Sequence, residues 1–270
     1  MSPKRVSGHI PRKRFGQHFL QDQAVIARII DAIAPQVGDN MVEIGPGLGA
    51  LTCPLLVAIG RLHVVELDRD TIPRLQQRCG NKGELFIHQA DALKFDFSSL
   101  IATPRKKLRV VGNLPYNISS PLLFHLFEQR AHIQDMTFML QKEVVARLAA
   151  KPGNRDYGRL SVMAQAVCQV DALFDVGPEA FEPPPKVNSA IVRLRPHEQP
   201  LFEFGDWQLF AHTVAQTFRQ RRKTLRNALK GMIDATTMEE LGIDPTSRPE
   251  TLSLEEFAKL GRYATRLTKS

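Results

Sequence analysis

The feature that most constrains this chain is a glycine-rich turn, Glu43-Ile44-Gly45-Pro46-Gly47-Leu48-Gly49, directly after the apolar pair Met41-Val42. Glycines two apart let a backbone turn sharply and let a ligand approach without meeting a Cβ. The spacing differs from the dinucleotide pattern, which puts two residues between its second and third glycines and sets a pyrophosphate on helix amides. The run also opens on an acid, Glu43, which repels phosphate and attracts a cation.

Around that turn, short apolar runs alternate with helical patterns. Residues 41–44, 62–67, 85–88, 108–112 and 136–140 read as strands, and 48–59, 70–78 and 121–128 as helices. Continuous apolar strands separated by helices predict a parallel sheet covered on both faces. Past residue 142 the pattern changes. Residues 143–150 and 160–167 read as helices, and 170–174 and 190–194 as an antiparallel hairpin at the sheet edge. Pro196 and Pro200 bracket a polar linker, after which the chain is helical, with Val214, Phe218, Leu225 and Leu229 on one face and Arg219, Arg222, Arg226 and Lys230 as a basic stripe on a neighbouring one.

Ligands of such sheets bind at the carboxyl ends of the strands. The second strand ends in Glu66-Leu67-Asp68, about 20 residues past the glycines, where a carboxylate can accept from both ribose hydroxyls. Glu66 is the candidate for that role, and Asp68 reads as a cap on the next helix. The third strand ends in Ala90-Asp91-Ala92, and Asp91 either accepts from an adenine amine or closes a turn. Glycines, Glu66 and Asp91 at successive strand ends, with no phosphate-binding spacing, favour S-adenosylmethionine over a nicotinamide dinucleotide.

The fourth strand runs into Asn113-Leu114-Pro115-Tyr116. An adenine exocyclic amine is a poor nucleophile because its lone pair is delocalised into the ring. It carries two N–H donors, and two acceptors in one place localise the lone pair on nitrogen. The Asn113 side-chain oxygen and the Leu114 carbonyl can be that pair, with Pro115 holding Leu114 extended. Tyr116 can stack on an extruded base. Phe181, ahead of Glu182-Pro183-Pro184-Pro185-Lys186-Val187-Asn188-Ser189, can stack on the other face or be a core aromatic at a strand end. Lys186 can reach phosphate.

The net charge of +8 is localised. Residues 1–21 carry five basic groups and no acid, and residues 207–233 carry six (Arg219, Arg221, Arg222, Lys223, Arg226, Lys230) and no acid. The remainder holds 25 basic and 28 acidic residues, so the excess forms a candidate polyanion surface and not a general solubility device. The alternative is a solvated helix face. No apolar run reaches the ~20 residues of a bilayer span, and Pro3, Gly8 and Pro11 interrupt the basic N-terminal segment, so neither a membrane span nor a targeting leader is expected. Cys53, Cys79 and Cys168 lie far apart with no metal spacing, and are expected to be small buried hydrophobes in a reducing cytoplasm, with no metal site.

These residues together resemble the KsgA family, the small-subunit ribosomal RNA adenine dimethyltransferases. The matching runs are Phe15-Gly16-Gln17-His18-Phe19-Leu20, residues 43–49, Val65-Glu66-Leu67-Asp68, Ala90-Asp91-Ala92, residues 113–121, Leu140-Gln141-Lys142-Glu143-Val144 and residues 181–189, with Phe218-Arg219-Gln220-Arg221-Arg222-Lys223 in the helical tail. The resemblance implies a Rossmann-like class I S-adenosylmethionine methyltransferase α/β sheet, mostly parallel with an antiparallel edge hairpin, plus a small all-α C-terminal domain. The expected division is a basic flexible arm at 1–14, the methyltransferase domain at 15–197 and a helical RNA-binding domain at 198–270.

By the same resemblance His18 and Leu20 contact the methionyl part of the cofactor, and Gly45, Gly47, Glu66, Asp91 and Asn113 line the rest. The family often has Asn where this chain has His18. The implied substrate is a pair of adjacent adenosines in the hairpin loop near the 3′ end of 16S ribosomal RNA within the small subunit, met by a cytoplasmic monomer. Two other readings stay open: a large-subunit (23S) ribosomal RNA dimethyltransferase of the macrolide-resistance type, and a non-catalytic assembly or transcription factor on the same fold. A DNA adenine methyltransferase would need a target-recognition region for which the C-terminal segment leaves little room.

Overall fold

The structure, a computed structural model, describes residues 18–101, 106–220 and 223–268. Residues 1–14 and the first part of the run 15–20 lie outside them. The chain divides into two compact units. One reaches to Val145 and takes in Asp171–Pro196; the other holds Ala146–Val170 and the chain from His197 onward.

The first unit is built on a seven-stranded sheet among the described residues, in the order β4-β3-β2-β5-β6-β9-β7. Its strands are β2 (Met41–Ile44), β3 (Arg61–Glu66), β4 (Glu84–Gln89), β5 (Leu108–Asn113), β6 (Ile133–Gln141), β7 (Cys168–Val176) and β9 (Ser189–Pro196). The first five are mutually parallel, and β9 runs antiparallel to β6 with β7 outside it. Every strand expected from the apolar runs is present. The central strands are buried on both faces, as parallel strands under helices must be. Helices α2 (Thr52–Ile59) and α3 (Ile72–Cys79) cover one face, where Leu55, Leu56 and Leu75 meet Leu62 and Val64. A further helix, α4 (Ser119–Glu128), joins β5 to β6.

Helix α2 starts four residues later than its apolar pattern suggests. Gly45, Gly47 and Gly49 have φ of 67°, 53° and 84°, so residues 45–51 form turns and not helix. A helix not expected from the sequence, α1 (Gln23–Ile33), precedes the sheet. Its signals are local: Asp22 accepts from the N–H groups of Ala24 and Val25, and Ile26, Ile29 and Ile33 are buried at helical spacing. Just before it, β1 (Phe19–Leu20) pairs antiparallel with β8 (Phe181–Glu182) as a separate two-stranded ladder.

At the amino end of the strands, buried Arg109 closes the sheet. Its guanidinium donates to Asp135, to Asp39 at 2.6 Å and to the Ile33 carbonyl at 2.6 Å, so a charge out of water has carboxylate and carbonyl partners.

The second unit is helical: α5 (Lys142–Ala149) enters it, and α6 (Arg159–Val167), α7 (Trp207–Arg219), α8 (Leu225–Ala228), α9 (Ala235–Glu240) and α10 (Leu254–Leu267) follow. Phe210, Val214, Leu225, Leu229, Phe257 and Leu260 are buried, and Phe218 stacks on Phe257. Ser253 and Glu256 cap α10 reciprocally.

Three sequence expectations change here. Residues 146–170 cluster with the C-terminal helices, so the helical unit does not begin at 198. Gln165 donates to the carbonyls of Leu148 and Ala150, and His197 N–H to that of Val167. Periodicity within 160–167 could not reveal which neighbours that helix keeps. The basic stripe also breaks. Helix α7 ends at Arg219, and Leu225 and Arg226 direct their N–H groups to Ser247 and Pro245, so Arg219, Arg226 and Lys230 do not share one helix face. Cys53 and Cys79 are disulfide-bonded, joining α2 to α3, which corrects the expectation of three unpaired thiols; Cys168 is the buried free one.

Candidate active site

The carboxyl ends of β2, β3, β4 and β5 surround a cavity of about 660 Å³. That is the size of a small-molecule site. Its wall includes Gly45, Gly47, Glu66, Asp91, Asn113, Leu114, Pro115 and Tyr116 from the strand ends, and His18 and Leu20 from β1 and the residue before it. Every cofactor-binding residue expected from the sequence therefore meets in one place.

The glycine turn is required by contact as well as by φ. A Cβ on Gly47 would lie 3.2 Å from the Phe19 ring, and one on Gly49 would lie 2.7 Å from Cys79 Sγ. Glu66 braces that turn. One carboxylate oxygen accepts from Gly47 N–H at 3.3 Å, the other from Asp68 N–H at 2.7 Å. Burial raises the Glu66 pKa, and those two N–H groups work against the rise. Glu43, also on the wall, accepts from the Thr52 hydroxyl at 2.6 Å, and burial pushes its pKa up to about 8.

Asp91 closes a turn, one oxygen accepting from Leu93 N–H, and it also lines the cavity. Asp68 also lines the cavity and takes Asp70 N–H at 3.2 Å ahead of α3. Glu43, Glu66, Asp68 and Asp91 thus line one cavity, together with Arg74 and Arg78 of α3. Sequence reasoning passed over those arginines. Their spacing with Gln77 on one helical face was the available signal, and Arg78 donates to Leu48 O at 2.9 Å.

The tetrad is held on three sides. Leu114 N–H donates to Met139 O of β6. Asn113 donates its amide N–H to His18 O at 3.3 Å, which turns the amide oxygen the other way. The Tyr116 hydroxyl meets Ser189 Oγ at 2.7 Å, and the Tyr116 ring lies against His18 at 5.8 Å between centroids and 28° between planes. His18 in turn donates from Nδ1 to Pro183 O at 2.8 Å, leaving Nε2 the acceptor in the neutral ring.

Phe181 does not join this site. It is 4% exposed, in the apolar cluster with Leu20, Ile26, Ile29 and Ile191, and is not on the cavity wall. It stands opposite Leu20 in the ladder of β1 and β8, which sets it against that cluster. Lys186 is exposed and away from the cavity wall. Arg219, Lys223 and Arg226 are exposed; Arg221 and Arg222 lie outside the described residues. Among the described residues no cluster of three or more His, Cys, Asp or Glu is arranged to hold a metal ion, and no helix is long and apolar enough to cross a membrane.

The chain is similar to known proteins over nearly its whole length. A protein named ribosomal RNA small subunit methyltransferase A from Nitrosococcus oceani is 57% identical over 256 residues, covering 95% of this chain and 97% of that protein. Among solved structures, a dimethyladenosine transferase from Plasmodium falciparum superposes with a TM-score of 0.77 at 27% identity, over 90% of this chain and 96% of that one. The 23S ribosomal RNA methyltransferase ErmE shares the fold, with a TM-score of 0.66 at 24% identity over 90% of this chain and 98% of its own. The family model described as ribosomal RNA adenine dimethylase matches residues 8–266, and with its cavity, tetrad and sheet this chain belongs to that family.

Proposed function

We propose that this chain transfers methyl groups from S-adenosylmethionine to the exocyclic amines of two adjacent adenosines in the hairpin loop near the 3′ end of 16S ribosomal RNA, two to each base, within the small ribosomal subunit. The residues present fit the cofactor. A cavity lined by Glu66, Asp68 and Asp91, with Glu66 braced on the glycine turn, suits a cationic nucleoside. Glu66 would take the ribose hydroxyls, Asp91 the adenine amine, and His18 and Leu20 the methionyl part. Bound there, the sulfonium supplies a methyl group already activated for displacement.

The remaining chemistry belongs to the chain. Asn113 Oδ1 and Leu114 O accept the two N–H groups of the target amine, so its lone pair is localised and aimed. Tyr116 stacks on the base. The amine proton leaves to water after transfer, so no strong base is needed, and positioning supplies most of the rate. One observation carries this reading: Asn113 Nδ2 is taken by His18 O, which leaves the amide oxygen as the acceptor beside the cavity.

The small-subunit reading is favoured over the 23S type by 57% identity to a small-subunit methyltransferase against 24% to ErmE. A non-catalytic factor would have no need of the intact tetrad and Glu66. We place the enzyme in the cytoplasm as a monomer, with Lys186, Arg219, Arg221, Arg222, Lys223 and Arg226 meeting RNA phosphates. Incubation with labelled cofactor and small subunits lacking the modification, then nucleoside analysis, tests the reading. Dimethyladenosine at the two adjacent positions is expected; label in large-subunit RNA, or none, overturns it.

A further inference from the structure

Ser189 belongs to no site assigned above, yet it is the partner of the stacking tyrosine. It is fully buried, and its Oγ lies 2.7 Å from the Tyr116 hydroxyl. Ser189 opens β9 and stands opposite Gln141 on β6, while Lys142 N–H donates to Asn188 O next door at 2.9 Å. Its position is therefore set by the sheet. Tyr116 is tethered at its other end by Ser119 Oγ, which donates to the Tyr116 carbonyl, and by the turn that follows β5. The phenol thus bridges from the end of β5, past β6, to the start of β9. A half-buried phenol without that hydroxyl contact would retain rotamer freedom, and its ring plane would not be set before a base arrives.

We infer that Ser189 is a positioning residue that fixes the ring plane of Tyr116, and that its hydroxyl matters more for the second methyl transfer than for the first. The inference rests on the function proposed above. In each transfer an N–C bond forms as the C–S bond breaks; the electron pair of that bond stays on sulfur and the amine proton goes to water. An unmodified adenine offers two N–H groups to Asn113 Oδ1 and Leu114 O. A monomethylated adenine offers one, so one of those two contacts is lost. The plane of the base then depends more heavily on its stack with Tyr116. Loosening that ring penalises the second transfer most.

The test is the ratio of monomethyl- to dimethyladenosine formed on small subunits by the full chain, compared at equal total methyl incorporated. Ser189→Ala is expected to raise that ratio by at least ~5-fold, the equivalent of about 1 kcal/mol of barrier, with affinity for S-adenosylhomocysteine within about twofold of the parent. Tyr116→Phe keeps the ring and the buried serine, removes the same hydrogen bond, and is expected to reproduce the ratio; the double variant is expected to add nothing further. A parental product ratio in either single variant overturns the inference, as does an additive double variant. Failure of the underlying reading looks different: the parent itself would then yield no dimethyladenosine.

Discussion

Asn113 and His18 are joined by a 3.3 Å hydrogen bond, from the side-chain amide of one to the backbone carbonyl of the other, across 95 residues of chain. An amide has a donor end and an acceptor end, so satisfying the donor on one side decides what the other side offers. The segment leading into the short ladder of β1 with β8 thereby orients the amide at the end of β5.

Replacing Asn113 with Ala should lower single-turnover methyl transfer at least ~100-fold, about 2.7 kcal/mol of barrier, while binding of S-adenosylhomocysteine stays measurable. Unchanged turnover would refute the acceptor role. Asn113→Asp also keeps an acceptor but loses the donor to His18, and should fall between the two.

Glu66→Ala should weaken cofactor affinity by about 1–3 kcal/mol, the scale of a lost hydrogen bond to a charged group. Calorimetry reads it. Glu66 also accepts from Gly47 and Asp68 N–H groups, so Glu66→Gln should recover part of the loss by restoring one acceptor on the turn. Equal affinity in parent and Ala variant would remove Glu66 from the ribose.

Stability should fall with rising pH because of Glu43. Burial moves its pKa from 4.5 to about 8 in the folded protein. Between those values the folded chain holds a proton that the unfolded chain has released, so raising pH favours unfolding; the contribution is complete below the unfolded value and lost through the folded one. Glu43→Gln should flatten the melting temperature against pH over that window. A slope equal to the parent's would place the dependence elsewhere.

Lys223 and Arg226 are exposed and flank the start of α8. Converting both to Ala should weaken binding to ribosomal RNA uniformly across sequences. The slope of log affinity against log salt should also drop by about one for each phosphate contact removed. An unaltered slope would mean that these side chains are merely solvated.

The sequence alone determined the strands of the sheet and the residues that stand at their ends. The parallel sheet was legible in apolar runs separated by helical patterns, and the cavity in what stands at successive strand ends: glycines, Glu66, Asp91 and the tetrad. A parallel sheet aligns those ends without further instruction, so local pattern sufficed. Helix α1 was legible in principle, from its Asp22 cap and its isoleucines.

Only tertiary structure decided the relationships between distant windows. His18 meets Pro183 across 165 residues and Tyr116 meets Ser189 across 73, contacts that no periodicity encodes. Phe181 turned inward because the register of β8 on β1 chose its face. The run at 219–230 read as one stripe until α8 gave its first N–H groups to Ser247 and Pro245. Cys53 and Cys79 read as unrelated until α2 and α3 brought them together. In each case the deciding energy lies in a pairing between segments far apart in sequence, and a chain read residue by residue carries the candidates for such pairings but not the choice among them.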